Sequence, residues 1–591
     1  MSYRAPVAEL AFTLRHVAGL EAALAGSGQG DLTLEDARAV LEEAGRLAGS
    51  VLAPLNRVGD RHGTLLADGV VTTPPGWREA YRTFVEGGWN GLSAPESHGG
   101  QGLPHLLNAA CTEMWNGANL AFSLCPLLTA GGIEAVEKHG SDALKAGYLE
   151  KLVSGEWTAT MNLTEPQAGS DLALLRTRAE PNGDGSYRIT GAKIYITYGE
   201  HDLTENIVHL VLARLKDAPA GTRGISLFLV PKVLPDGSRN DLRCSGIEHK
   251  LGIHASPTCS MAFGDGGGAT GWLIGEENRG LACMFTMMNS ARLGVGLQGV
   301  AVAEAATQKA LAYAQERRQG RAPGAGEGEG GASPIIEHAD VQRMLLTMKA
   351  GTAAARGICY LTAAALDAAR GPEGQAAYDR ASLLTPVAKA FSTDIANEVT
   401  SLGVQVHGGM GFVEETGAAQ LMRDARILAI YEGTNGIQGL DLVGRKLPLN
   451  GGATVRAQIA SMREVAEGVL RDNSPAFGHT AARLRAAIES LDRATSFALR
   501  ALASNRPEEA LAGATPYLRL FGLAQGGTCL AKAALAASAA IRDGETDPAH
   551  AARIALARFF AENLATAAGG LEQTILDGGG FVHEARIALA S

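Results

Sequence analysis

Cysteine, aromatic residues and an excess of basic charge are all scarce in this chain, and each scarcity closes off a class of protein. Seven cysteines occur in 591 residues, at Cys111, Cys125, Cys244, Cys259, Cys283, Cys359 and Cys529. An odd, scattered set does not read as a disulfide framework and suits a reducing compartment. Lys plus Arg total 52 against 62 Asp plus Glu, a net charge of −10, the wrong sign for a footprint on nucleic-acid phosphates. No stretch reaches the ~18 uninterrupted apolar residues of a membrane span. Arg4, Glu9, Arg15, His16 and Glu21 interrupt every apolar run near the N-terminus, so no signal-peptide core is expected. The expectation is a cytoplasmic protein without an integral membrane segment. The chain lacks a G-x-S-x-G elbow, a P-loop, an HExxH pair and any C-x-x-C, the usual anchors of hydrolases, nucleoside triphosphatases and zinc enzymes. His249, His254 and Cys259, spaced by five, match no tight zinc pattern, and no metal site is expected.

What the chain does have is material for packed cores. Hydrophobic residues make up 46% and charged residues 19%, and at about 100 to 200 residues per domain the length predicts several units. Glycine is abundant, at 75 residues, and runs such as LAKAALAASAAI point to closely packed helices. The pattern divides into an N-terminal arm (1–35), a helical domain (36–156), a β domain (157–278), a second helical domain (279–447), a linker KLPLNGGA, and an extra helical domain (454–591). Thr33 and Asp36 supply a capping-box start to the first long helix. GSYRITGAKIYIT, NIVHLVLARL, GISLFLVP and CSMAFGD are short β-type runs with no room for helices between them, which predicts an antiparallel sheet. QGRAPGAGEGEGGASP reads as a solvated loop. Two G-x-G-x-x-G patterns, at Gly294, Gly296, Gly299 and at Gly326, Gly328, Gly331, are weak. The first follows a helix-like segment and the second carries Glu327 and Glu329 where a pyrophosphate would approach.

The informative stretch is MNLTEPQAGSDLALLRTRAE, with KIYIT about one hairpin later. Thr164, Gly169, Ser170 and Asp171 form a turn whose hydroxyls and free N–H groups can meet carbonyls and phosphate oxygens. Alone it reads equally well as an ordinary polar turn. Three further motifs follow in order: AYAQERRQGR around Arg317, VQVHGGMGF from Val404, and IYEGTNGIQ from Ile430. Together these four resemble the acyl-CoA dehydrogenase family over roughly residues 80–447, and in particular its longer bacterial members with an extra helical C-terminal domain. The resemblance implies a mostly α fold in which a helical domain, a central antiparallel β domain and a four-helix domain clasp FAD, with part of the FAD site supplied by a second subunit of a homodimer. It also implies α,β-desaturation of an acyl-CoA, with electrons passed to an electron-transfer flavoprotein. An oxidase that uses oxygen, or a flavin-binding protein without turnover, would share the fold, and the acyl group, fatty or sulfur-bearing, is left open.

By that resemblance Leu163 and Thr164 face the flavin pyrimidine edge, Gly169 and Ser170 lie near the pyrophosphate, and Tyr195 and Thr197 contact the isoalloxazine. Arg317, Gln405, Gly408 and Gly409 meet the partner's FAD, and Thr434 and Asn435 lie by the adenine end. Ser170, Asn289 and Arg292 fall on the substrate side. The chain departs from the family at Tyr195, commonly Trp; at Gln319, Gly320 and Arg321, where Phe-Gly is usual; at Asn289, commonly Asp; and at Gly436, frequently Gln. Removal of an α-proton requires a base across the substrate from the flavin, and Glu432, followed by Gly433, is the candidate. Some members carry the base on the helix containing MFTMMNSAR, but the corresponding position is Ala291, with no carboxylate between Met284 and Arg292. Burial beside an acyl chain is expected to raise the Glu432 pKa. The methionines of that helix are expected to face the core.

Overall fold

The computed structural model describes residues 3–26, 32–323, 331–371 and 374–590. The N-terminal third is helical: α1 (Val7–Thr13), α2 (Leu20–Gly26), α3 (Leu34–Leu47) and α4 (Ala53–His62), then a hairpin of β1 (Leu65–Ala67) and β2 (Val70–Thr72), then α5 (Trp77–Glu86), α6 (His105–Ala118), α7 (Leu120–His139) and α8 (Asp142–Ser154). The expected capping box is present, with the Thr33 hydroxyl accepting from Asp36 N at 3.2 Å and Asp36 Oδ2 accepting from Thr33 N at 2.9 Å. Asn119, extended at φ −158°, separates α6 from α7 and caps the latter.

The chain then forms β3 (Trp157–Asn162), β4 (Arg178–Pro181), β5 (Tyr187–Thr197), β6 (Asn206–Leu215), β7 (Ser226–Pro231), β8 (Leu242–Ile247), β9 (Thr258–Phe263) and β10 (Ala269–Ile274). Strand order is β10-β7-β6-β4-β5-β9-β8, and β10 also pairs with β5, so the sheet curls around Ile189, Ile196, Val211, Phe228, Val230, Met261 and Phe263. Most pairings are antiparallel as expected. Two are not: β3 and β4 both run parallel to β6. Alternation of buried and exposed residues reports which face is covered and carries no information on a neighbour's direction.

The second helical unit comprises α9 (Gly280–Glu316), α10 (Ala339–Ala368), α11 (Gly374–His407), α12 (Ala418–Ala425) and α13 (Asn435–Asp441). The first glycine pattern lies inside α9, where it serves packing. A Cβ on Gly296 would stand 2.7 Å from the Ala388 carbonyl oxygen of α11, and one on Gly299 2.6 Å from that of Ser392. In the second pattern, Gly326 and Gly328 fall outside the described residues, with the rest of 324–330.

Beyond a short turn at Leu449–Gly452 come α14 (Ala453–Asp472), α15 (Thr480–Ala503), α16 (Pro507–Ala512), α17 (Ala514–Arg542) and α18 (Pro548–Phe559). A single apolar core joins the arm, the long helices and this C-terminal unit. Helices α7 and α17 are long and apolar enough to cross a membrane by composition, yet 72% and 83% of those windows are buried here against other helices. Under α6, α9 and α10 lies a buried ionic cluster in which Arg356 meets Glu113 at 2.6 Å and Glu304 at 2.9 Å, with Tyr360 donating to Glu113 at 2.8 Å. Its three helices are tied together by groups that are costly to separate.

Because the α9–α11 crossing admits no side chain at Gly299, Gly299→Val is expected to destabilise the protein by about 1–3 kcal/mol or more through overpacking, read as a lowered denaturant midpoint.

Candidate active site

Glu432, which the motif IYEGTNGIQ reads as the end of a helix, lies outside any helix. It lies between a 3-10 turn, Arg426–Ala429, and α13. Its backbone is left-handed at φ 55°, followed by Gly433 at φ 83°, a conformation that disfavours any residue with a Cβ. Thr434 caps α13 by accepting from Ile437 N at 3.3 Å, and Gln438 Nε2 donates to the Glu432 carbonyl at 3.1 Å. The Glu432 carboxylate accepts no hydrogen bond among the described residues. Burial pushes its pKa up, and the cations Arg292 of α9 and Lys389 of α11 oppose that rise.

Arg292 is buried, 3.7 Å from Asp441 Oδ2, and donates to Asn289 Oδ1 at 3.4 Å. Tyr431 donates to Gln298 Oε1. Arg292 Nε, Gln298 Nε2 and Gln438 Oε1 are buried without a partner, an unusual concentration of orphaned polar atoms beside one carboxylate. Asn435 turns away from this space, donating to Ala390 O at 3.2 Å and Asp394 Oδ1 at 2.6 Å while accepting from Lys389 Nζ at 2.8 Å. Its side chain is therefore engaged within α11, leaving its backbone for any cofactor contact.

On the β side, the turn after β3 is held by a buried pair. Lys193 Nζ donates to Glu165 Oε1 at 2.9 Å and to the Leu163 carbonyl at 3.0 Å. Glu165 also accepts from Thr177 Oγ1, Thr177 N and Arg176 N. Burial alone would raise the Glu165 pKa, but Lys193 and these donors bring it down to about 2. Thr164 accepts from Ile194 N at 2.9 Å, placing the turn beside a bulge in β5. At that bulge Tyr195 has φ 60° and is 61% exposed. Thr197 accepts from Thr160 Oγ1 at 2.6 Å. Gly169 and Ser170 are exposed, and nothing lies within 4 Å of a Cβ built on Gly169. Leu163 and Met288 pack on one apolar cluster with Met284, Met287 and Ala291, so the Met-rich start of α9 is largely core, as expected, and meets the β domain there.

Arg317, Gln405, Gly408 and Gly409 are elsewhere. They lie at the far ends of α9 and α11, which run side by side, with Tyr313 stacked on His407 at 4.5 Å. Arg317 follows Arg292 along one continuous helix by roughly 37 Å at 1.5 Å per residue. These four are exposed beside Met410 and Phe412, which are 49% and 87% exposed. They cannot join the Glu432 site within one subunit.

Acyl-CoA dehydrogenase family domains match most of the chain: the N-terminal domain at residues 34–156, the middle domain at 160–265, the C-terminal domain at 278–447, and the acetyl-CoA dehydrogenase C-terminal-like domain at 454–585. The chain belongs to the acyl-CoA dehydrogenase family. It is 49% identical to the 3-methylmercaptopropionyl-CoA dehydrogenase of Ruegeria pomeroyi over 98% of this chain and 99% of that protein. Its fold is similar to that of Caenorhabditis elegans ACDH-11 in complex with C11-CoA, with a TM-score of 0.79 and 19% identity over 97% and 95% of the two chains. It is also similar to a Bacillus anthracis acyl-CoA dehydrogenase complexed with FAD, with a TM-score of 0.74 and 22% identity over 95% and 91%.

For an acyl-CoA dehydrogenase the residues present fit a flavin. The β domain offers an exposed aromatic held in a left-handed bulge and an open glycine turn, and the helical domain offers unpartnered polar atoms around Glu432. Sequence reasoning missed Lys193, Glu165, Lys389, Gln298 and Gln438. Two left a trace: Lys193 occupies an inward position of an alternating strand, and Lys389 interrupts the apolar run TPVAKAF. A buried lysine demands a partner. A separate cleft of about 620 Å³ between α10, α17 and α18 contains none of these residues.

Lys193→Met leaves Glu165 as a buried carboxylate without its cation, and is expected to cost about 3–5 kcal/mol, measured by chemical denaturation near neutral pH. The loss should shrink as pH falls and the stranded carboxyl takes up a proton.

Proposed function

We propose that this chain is an FAD-dependent acyl-CoA dehydrogenase that converts an acyl-CoA to its trans-2-enoyl-CoA with Glu432 as the base. The observation that carries the reading is a half-buried, unpartnered carboxylate on a strained turn, faced by two buried cations, in a chain whose residues 34–585 are spanned by the family's domains. In the reaction the Cα–H bond breaks with its proton going to Glu432, the Cβ–H bond breaks with its electron pair, and the α,β double bond forms. When bound, FAD supplies the acceptor for the hydride that leaves Cβ.

The protein's part is placement and charge. Burial makes Glu432 a stronger base than a solvated glutamate, matched to work closer to neutrality. Its own backbone N–H, turned by Gly433, is suited to the thioester oxygen as negative charge develops there. Arg292 and Asn289 border the same space. Leu163, Thr164, Gly169, Ser170, Tyr195 and Thr197 would hold FAD from the β side, with Thr434 near it. Arg317, Gln405, Gly408 and Gly409, too distant to serve their own subunit, would serve the FAD of a second copy in a homodimer. The division of the chain at about residues 35, 156, 278 and 447, a cytoplasmic setting and an electron-transfer flavoprotein as acceptor belong to the same proposal. The substrate supported best is 3-methylmercaptopropionyl-CoA, because the similarity to the Ruegeria enzyme runs through both full lengths.

Glu432→Gln is expected to keep flavin bound while slowing anaerobic bleaching by 3-methylmercaptopropionyl-CoA at least about 100-fold; undiminished bleaching would remove the base assignment. Tyr195→Ala should leave the melting of flavin-free protein nearly unchanged, since the residue is mostly exposed, but weaken FAD retention about tenfold by loss of stacking, measured by flavin fluorescence on dilution.

A further inference from the structure

The turn that carries the base is gripped from behind by one side chain. Lys389 of α11 is fully buried, and its Nζ donates to the Gly433 carbonyl at 2.9 Å and to Asn435 Oδ1 at 2.8 Å. Both acceptors are neutral, and Lys389 makes no ion pair within 4 Å among the described residues. A buried ammonium held by neutral oxygens alone is poorly compensated. The charges that offset it at longer range are the carboxylates of Glu432 and Asp394. Burial draws the Lys389 pKa down to about 7, those two carboxylates pull it back up, and Arg292 pushes it further down.

Charged and polar groups face this turn from the helices packed against it. From α9, Arg292 faces Glu432 and is paired with Asp441, which Arg445 binds from behind at 2.5 Å. Tyr431 and Gln298 are joined to each other. On α11, Asp394 accepts from Asn435 Nδ2 at 2.6 Å and is influenced by Glu398 and by Arg519 of α17. Thr393 Oγ1 also meets Asn435, at 3.0 Å. Asn435 therefore relays between Lys389 and Asp394, and the C-terminal unit reaches the relay through Arg519.

We infer that Lys389 is a positioning residue for the base: by tying the Gly433 carbonyl to the Asn435 side chain and presenting its charge to Glu432, it holds the strained turn in place and keeps the carboxylate ionised. The inference rests on Glu432 being the base. It separates two effects, a geometric one carried by the hydrogen bonds and an electrostatic one carried by the charge. Below its pKa the ammonium favours ionised Glu432, so its removal moves the acidic limb of the rate profile to higher pH.

The test follows anaerobic reduction of the holoenzyme by 3-methylmercaptopropionyl-CoA across pH in unaltered protein, Glu432→Gln, Lys389→Gln, Lys389→Met and Lys389→Arg. Lys389→Gln keeps a donor without charge and should shift the acidic limb up by about one pH unit with a near-normal plateau. Lys389→Met should shift the limb equally and also lower the plateau at least tenfold. Lys389→Arg keeps the charge but misfits the two acceptors, so its limb should stay and its plateau fall about tenfold. In flavin-free protein, amide exchange over 433–438 should quicken in Lys389→Met and not in Lys389→Gln. A limb that does not move in the neutral variants overturns the electrostatic role, and an unaltered plateau in Lys389→Arg overturns the geometric one, a test that stands even where the neutral variants do not fold. Retained reduction in Glu432→Gln would instead sink the base assignment beneath the inference.

Discussion

The close contact of two helix backbones at Gly296 and Gly299 governs the rest of this structure. With no side chain between them, α9 and α11 approach until only hydrogen fits between Gly296 and the Ala388 carbonyl. Arg292 lies one turn before Gly296 on the same face of α9, and Lys389 follows Ala388 on α11. The crossing thus sets a guanidinium and an ammonium on either side of the segment that carries Glu432. A bulkier residue at either glycine would part the helices and with them the two cations.

Two buried lysines show opposite solutions to one problem. Lys193 is neutralised directly by Glu165, and the pair braces the turn after β3 as a rigid structural pin. Lys389 is given only neutral acceptors at short range, with its balancing carboxylates held further away. The first arrangement compensates its charge on the spot. The second leaves the nearest carboxylate unpaired and available to take a proton, at the cost of strain at Glu432 and a poorly compensated charge.

The C-terminal helices are continuous with the catalytic core. Gly522 of α17 lets the Phe391 ring of α11 sit against its backbone, Arg519 lies over that ring at 5.3 Å and pairs with Glu398 at 2.9 Å, and Gly439 of α13 abuts Ala514. Helices α11 and α13, which carry Lys389 and follow Glu432, are thereby covered on their outer side. The extra unit packs behind these two helices.

The order of helical and β segments, the capping box at Thr33 and the candidacy of Glu432 were all readable from the chain, because they rest on local periodicity, hydrogen bonds between near neighbours, and motifs whose spacing survives without a fold. The family motifs named Tyr195 but not its left-handed bulge, and named Asn435 but not that its side chain is turned into α11. The parallel pairing of β3 and β4 with β6, the use of the α9 glycines for packing, and the separation of Arg317 from Arg292 by a single long helix required the assembled structure. So did Lys389, more than forty residues from the turn it holds. The sequence alone determined which residue types are available and where local structure starts and stops; only tertiary structure decided which buried charges face one another, since burial and Coulomb interactions depend on distance in space and are blind to separation along the chain.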